Sequence, residues 1–574
     1  MRSPSRLLAL VSAGGLLSLA FTGAAAAASA PPHVFRGQPS ILSAAQVSQL
    51  SANATHRSII IFKNQLTSLP AKGATAPLRM KAASNAQAGV RSELAQLHTT
   101  NVEGFQIINA MSAPISTAEI TRLRANPAIS AVVPDTMRRF APLGDSPGAA
   151  VPARAAPHSG ASPAAANPAA APQQICPSNP AQPIIEPEAR TVMNVDAAQR
   201  IADGTGIKVG IIADGIDPNN PDLIRANGQH VIFDFQDFSG FGPGAPTDGR
   251  ESFLDAGSIA SQGNQTYDLS GFVNPAHPLP PGCNIKIKGI APGASLAVLN
   301  VAGPNPGFFN SQIIQAIEWA VLHDHVNVLN ESIGGSPIPN TQNDPVALAD
   351  QAAVAAGVTV VASSGDAGPF NNIGSPATTP GVIAVGGTTT YRVYRQTTRY
   401  GTQLSPGGWE NNNITALSSD GITEFNRHTV DVVAPGDRGW SLCSSNTAAF
   451  FGCADIDHGV APPPVWAAGG TSASAPETSG TAALVIEAYA NTHGGNLPSP
   501  ALVEQIIVST ATDLGAPADH QGAGLVNTLK AVQLAESING GTPQGSTLLV
   551  NKTSLDATVN AGQTATFSIG VTNE

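Results

Sequence analysis

Ser472 stands in Ala467-Ala-Gly-Gly-Thr-Ser-Ala-Ser-Ala-Pro476, with two glycines before it and the apolar run Gly480-Thr-Ala-Ala-Leu-Val-Ile-Glu-Ala488 after it. The glycines permit a tight turn and the run reads as a buried helix, which sets Ser472 at the positive N-terminal end of that helix. An alkoxide or an oxyanion is stabilised at such a place, so the chemistry suggested is attack by a serine hydroxyl on a carbonyl. A serine before a helix also serves as an ordinary cap, and the rest of the chain decides between the two readings.

A nucleophile of this kind needs a rigid support. From residue 189 to 538, apolar β-type runs alternate with helical ones: Ile207-Lys-Val-Gly-Ile-Ile212, Leu296-Ala-Val-Leu-Asn300, Val326-Asn-Val-Leu329, Val358-Thr-Val-Val-Ala362 and Val382-Ile-Ala-Val385. Continuous hydrophobicity is expected of parallel strands covered on both faces, so this part is predicted to be a doubly wound α/β domain. Upstream, residues 31–140 hold a small α+β unit: a strand Ser58-Ile-Ile-Ile-Phe62, a helix around Val90–Leu97, an extended Phe105–Ser112, a helix at Ser116–Ala125 and a strand Ile129–Pro134. Residues 141–188 turn Ala- and Pro-rich and read as an exposed linker, open to processing. Residues 539–574 alternate in Ser546–Val550 and Ala565–Thr572 like the start of a β-sandwich.

Arg2 and Arg6 precede the apolar stretch Leu7–Phe21, and Ala28-Ser-Ala30 follows, the pattern of a secretory signal peptide spanning residues 1–30. The protein is expected to be secreted, with no membrane span in the mature chain. A net charge of −11 with only 12% charged residues argues against a nucleic-acid partner. The four cysteines suit an oxidising compartment: Cys443 with Cys453 can close a surface loop, Cys176 and Cys283 are the leftover pair, and free thiols are the alternative. None has zinc-ligand spacing.

Several stretches resemble the subtilisin superfamily of serine proteases: Gly215-Ile-Asp-Pro-Asn-Asn-Pro-Asp-Leu223, Gly289-Ile-Ala-Pro-Gly-Ala294, Ala316-Ile-Glu-Trp-Ala320 and Val430-Asp-Val-Val-Ala-Pro435. The order of elements in 58–140 resembles the propeptide of these enzymes, which acts as folding chaperone and inhibitor. The resemblance implies a subtilisin-like fold, protein or peptide substrates, and inhibition by the chain's own propeptide. Two expected residues are missing. The first-strand acid falls on Ala213 in Ile212-Ala-Asp-Gly215, and the histidine motif is replaced by Glu251-Ser-Phe-Leu-Asp-Ala-Gly257, with Glu251 at the base position. Asp255 lies four residues on, so both carboxyls share one helix face and can meet.

This Glu-x-x-x-Asp pattern resembles the sedolisins, the serine-carboxyl branch, in which Glu is the general base toward Ser and Asp supports it. Ala362-Ser-Ser-Gly-Asp-Ala-Gly368 places Asp366 where subtilisins carry an oxyanion-binding Asn, and a carboxyl group donates there only while protonated. By the same resemblance, substrate lies beside Ser332-Ile-Gly-Gly335, including Ser332 and Gly334, with Ser363, Ser364 and Gly365 lining a side-chain pocket. Glu331 either favours basic side chains or is buried and paired; Asp214 either partly replaces the missing acid or is turn chemistry. His230 leads into a strand and His277 sits between prolines, so neither opens a helix as a catalytic histidine would. No cofactor is expected; calcium is conceivable, without a clear site. The reading is a secreted serine-carboxyl endopeptidase active at acidic pH. A catalytically inactive subtilisin-fold scaffold, or an adhesin working through the C-terminal β segment, are the alternatives.

Overall fold

The computed structural model describes residues 41–140, 174–271, 279–305, 307–334, 343–397, 412–421, 429–454, 464–538, 548–553 and 562–573. The expected signal peptide, linker residues 141–173, His277 and Gly335 lie outside them.

In the N-terminal unit, β1 (His56–Phe62), β2 (Glu103–Phe105), β3 (Ala110–Ile115) and β4 (Ile129–Pro134) form an antiparallel sheet in the order β2-β3-β1-β4. The helices Ala76–Gln96 and Thr117–Arg124 cover one face. Alternation along β1 sends Ile60 and Phe62 to Leu94 and Leu123 under those helices, and Ile59 and Ile61 to Ile313 and Ile317 of the following domain. The single extended run expected at Phe105–Ser112 is instead broken between β2 and β3. The free N–H groups of that turn, on Gln106 and Ile107, donate to Glu318 of the larger domain, the latter at 2.7 Å.

Beyond β5 (Met137–Arg139) come β6 (Ile184–Glu186), β7 (Lys208–Ala213), β8 (Ile232–Asp237), β9 (Tyr267–Asp268), β10 (Asn284–Ile287), β11 (Ser295–Asn300), β12 (Gly307–Phe309), β13 (Val328–Glu331), β14 (Thr359–Ser363), β15 (Val382–Thr388) and β16 (Val432–Pro435). Seven of these form a parallel sheet in the order β16-β15-β14-β13-β7-β11-β8, the predicted α/β architecture. Successive residues feed opposite cores. Val209 and Ile211 of β7, Leu296 and Val298 of β11 and Val361 of β14 pack on the side of the helices Arg250–Ala260 and Thr471–Thr492. Ile212, Ala297, Leu299 and Val360 pack on the side of the helices Asn310–Trp319 and Pro345–Ala356. Burial on both faces is why these strands read as unbroken apolar runs.

The stretch 174–188, expected as part of the linker, belongs to the body. β6 pairs in parallel with β10, Glu186 forms a 2.7 Å ion pair with Arg392, and Cys176 is bonded to Cys283. Its β-branched Ile184 and Ile185 give it strand propensity that the neighbouring Ala and Pro obscured. Cys443–Cys453 is the second disulfide, so both expected pairs form. At the C-terminal end the described residues hold one antiparallel pair, β19 (Leu548–Val550) with β20 (Val571–Asn573), following the pair β17 (Gly439–Leu442) and β18 (Val465–Ala468). Residues 565–570 of the expected strand Ala565–Thr572 carry no strand, and only its last two residues belong to β20.

Candidate active site

β18 delivers the chain to Gly469 and Gly470, and the helix Thr471–Thr492 begins at once. Gly470 has φ +116°, a conformation that strains any residue with a Cβ, and this swings Ser472 onto the first turn of the helix. Ser472 is 2% exposed and its hydroxyl lies 3.4 Å from the carbonyl of Ser332, to which it donates. The helix is buried from Thr471 to Ile486, so the serine rests on a fixed element.

Glu251 and Asp255 lie one turn apart in the helix Arg250–Ala260, and both are buried. Asp214 fixes that helix: its carboxylate accepts the Gly249 N–H at 2.6 Å and the Ser252 N–H at 2.9 Å, a side-chain cap supplied from the end of β7. Phe253 anchors the same turn edge-on against Phe450, 5.3 Å between ring centres. The Glu251 carboxyl lies near the Ser472 hydroxyl, which acts on its titration, but neither carboxyl oxygen is hydrogen-bonded and the hydroxyl donates to the Ser332 carbonyl instead. Burial first, then the charges of Asp255 and Asp214, push its pKa well above the ordinary range, while the Ser472 hydroxyl pulls it down. Asp255 is likewise raised by burial; the hydroxyl of Ser332 at 2.6 Å counters this. Asp214 is raised to about 7, mainly by burial and next by Asp248.

Ser332 joins the two halves of the site. Its hydroxyl accepts from the Asn330 amide at 3.0 Å and donates to Asp255, while the Ser479 hydroxyl donates to the Asn330 oxygen at 2.9 Å. Thus Asp255 is tied through β13 to the serine helix. Asn330 was not singled out from the sequence; no motif marks it. Ser332, expected to bind substrate, puts its side chain into this network, leaving its backbone and Gly334 beside Ser363 and Gly365. A Cβ on Gly334 would sit 3.7 Å from the Gly365 Cα and 3.8 Å from the Ser363 oxygen. Ser364 is buried, with a hydroxyl that has no hydrogen-bond partner.

Asp366 reaches the site from the loop after β14. One oxygen accepts both the Thr471 N–H at 2.7 Å and the Thr471 hydroxyl at 2.9 Å, which orients the carboxyl. The other oxygen borders the space left open by Gly470: a Cβ there would lie 2.7 Å from Asp366 Oδ2 and 3.6 Å from the Ser472 nitrogen. Burial raises the Asp366 pKa, and the Thr471 bonds oppose it.

Residues 204–525 match the subtilase family, Peptidase S8. The chain belongs to the subtilases. It is 28% identical to subtilisin DY of Bacillus licheniformis over 333 residues, covering 58% of this chain and 92% of that protein. It is 34% identical to the minor extracellular protease Vpr of Bacillus subtilis over 190 residues, covering 32% of this chain and 21% of that one. The crystal structure of fervidolysin from Fervidobacterium pennivorans, a keratinolytic enzyme related to subtilisin, superposes with a TM-score of 0.53 at 18% identity, covering 83% of this chain and 61% of that one, a likeness of fold. This subtilase is accordingly a subtilisin-like serine endopeptidase.

In this subtilase the position next to Asp214 is Ala213, and none of the described histidines hydrogen-bonds to Ser472, Glu251 or Asp255. His230 is exposed at the surface and contacts the Pro218 carbonyl. Among the described residues no cluster of three or more His, Cys, Asp or Glu is arranged to hold a metal ion, and no helix is long and apolar enough to cross a membrane.

Proposed function

We propose that this subtilase is a secreted serine-carboxyl endopeptidase, with Ser472 as nucleophile and Glu251 as general base. The observation that carries the reading is a buried Glu251 carboxyl without hydrogen-bond partners, near Ser472 and one helix turn from the equally buried Asp255. In the first step Ser472 Oγ bonds to the peptide carbonyl carbon while its proton passes to Glu251. The proton then goes to the departing amine nitrogen as the C–N bond breaks, leaving an ester on Ser472. Water attacks the ester, Glu251 takes the water proton, and return of that proton to Ser472 frees the acid product. Asp255, held by Ser332, keeps Glu251 in place and shares its charge. The oxyanion is held by the Ser472 N–H and by Asp366 in its protonated form, the free Oδ2 being the donor.

Close carboxyls titrate as a group, and the working form has one negative charge on Glu251 and Asp255 together. Activity rises as that pair loses its first proton and falls when Asp366 loses its own, a bell on the acid side of neutrality. The N-terminal unit, whose β5 lies on β12, is proposed as the inhibitor removed on maturation. Secretion is supported by the signal-like N-terminus and the two disulfides.

The test is digestion of denatured casein from pH 3 to 9, with Ser472→Ala as control and the precursor followed by gel after acidification. Acid-side digestion and self-processing, both absent in Ser472→Ala, are expected. A neutral or alkaline optimum would reject the carboxyl mechanism, and no digestion at any pH would leave an inactive scaffold.

A further inference from the structure

The last residue of β13 and the residue that follows it face opposite ways. Ser332 turns toward Asp255 and Ser472, and Glu331 turns to the other face of the sheet, where it is fully buried against Asp350 of the helix Pro345–Ala356. No other group donates to the four carboxyl oxygens of Glu331 and Asp350, and burial raises both carboxyls, Glu331 to about 7. Asp344 caps the same helix, accepting the Val346 N–H at 3.0 Å. What enters this acidic recess is an arginine from the N-terminal unit. Arg138, 5% exposed, donates through Nε to Asn310 Oδ1 at 2.7 Å and through Nη1 to the Ser375 carbonyl at 2.9 Å, and its Nη2 is 3.7 Å from Asp344 Oδ2. Its charge also acts on Glu331 and Asp350.

The manner of entry matters. β5 is laid antiparallel on β12, with Met137 opposite Phe309 and Arg139 opposite Gly307. An added strand of this kind is held by main-chain bonds that any sequence can make, and selectivity resides in the pocket that receives a side chain. The pocket is built for one kind of guest. A buried guanidinium is costly unless its fork is matched by acceptors and negative charge, and here every contacting acceptor belongs to residues 310–375 of the body while the cation belongs to the N-terminal unit. When that unit leaves, the acceptors remain and, among the described residues, the cation acting on the buried carboxyls is gone.

We propose that the Asn310–Asp344–Glu331 recess is a substrate subsite for an arginine side chain, filled by Arg138 until the N-terminal unit is removed. It rests on the peptidase reading above. The substrates are therefore polypeptides with an arginine at one fixed position upstream of the cleaved bond.

The acid-processed enzyme is offered internally quenched peptides that differ only in arginine or its neutral isostere citrulline, placed in turn at each of four upstream positions. One position is expected to favour arginine by about tenfold or more, in keeping with a charge-assisted contact, and Asp344→Asn should bring that ratio close to one. Cleavage with no arginine preference at any position overturns the subsite while leaving the peptidase intact, and so does a preference that Asp344→Asn does not change.

A second measurement needs no turnover. In the full-length Ser472→Ala chain, Arg138→Ala should lower the melting temperature, ethylguanidinium should restore part of it, and neutral ethylurea should not. Rescue without any peptide cleavage would reject the catalytic reading and keep the pocket; absence of selective rescue overturns the pocket.

Discussion

Replacing Asp366 by asparagine tests the mechanism where subtilisin-like and carboxyl chemistry diverge. Asp366 Oδ1 already accepts two bonds from Thr471, so an amide oxygen takes that place and the new NH2 group occupies the position of Oδ2, beside Gly470 and the Ser472 nitrogen. On the proposed mechanism the variant therefore keeps a donor toward the oxyanion and loses only its ability to ionise. In the native enzyme each pH unit above the Asp366 pKa removes tenfold of the competent form, down to the floor set by losing one oxyanion donor, ~10²–10³ in rate. Two units above that midpoint the ratio of Asp366→Asn to native activity should have grown about a hundredfold, or ~2.7 kcal/mol of transition-state stabilisation. Burial raises this pKa, so the native alkaline limb lies above the ordinary aspartate range. The assay is kcat/KM against pH from 3 to 8 on one quenched peptide. Parallel profiles for the two proteins would show that Asp366 does not set the limb, and a folded but inactive asparagine variant at every pH would show that it is not the donor.

Glu251→Gln keeps the shape of the side chain and removes the base, so turnover of the same peptide should fall ~10²–10⁴-fold; near-native turnover by the folded variant refutes the assignment. Asp214 is raised from 3.8 to about 7 by burial, so the folded state holds its proton more tightly than the unfolded chain. Its contribution is intact below pH ~4 and up to about 4 kcal/mol is lost as pH climbs to about 7. In the Ser472→Ala background, Asp214→Asn should flatten the fall of the urea midpoint between pH 4 and 7.5, at the cost of one capping bond, and an unchanged slope would contradict it.

The parallel sheet was legible because burial on both faces leaves apolar runs such as Val358–Ala362 in the sequence, and Ser472 because only glycine suits the turn before it. Glu251 and Asp255 could be paired from their spacing, since one helix turn brings i and i+4 together. The function of Asp214 was not legible. Its partners, the N–H groups of Gly249 and Ser252, lie more than thirty residues away, and capping across elements leaves no periodic trace. The same holds for the Ser332 hydroxyl, whose acceptor Asp255 is 77 residues distant. Residues 174–188 were misplaced because their tie to the body is a disulfide and a short parallel pairing, both contacts over about a hundred residues. For Glu331 the sequence offered two readings, and the structure shows it buried beside Asp350.

The Cys176–Cys283 bond has a consequence for how inhibition would end. Both cysteines are on the body side of residues 141–173, so one cut there divides the chain into two molecules and leaves the new amino terminus stapled to β10. The contacts of Glu318 and Arg138 across the interface lie outside residues 141–173 and do not depend on that cut. What changes is the concentration at which the N-terminal unit meets the body. If residues 141–173 act as the expected linker, the tethered unit would be present at an effective concentration on the order of millimolar; once severed, it would be present only at the concentration of the protein itself. Scission by itself would thus be silent, and dilution would be the event that exposes Ser472.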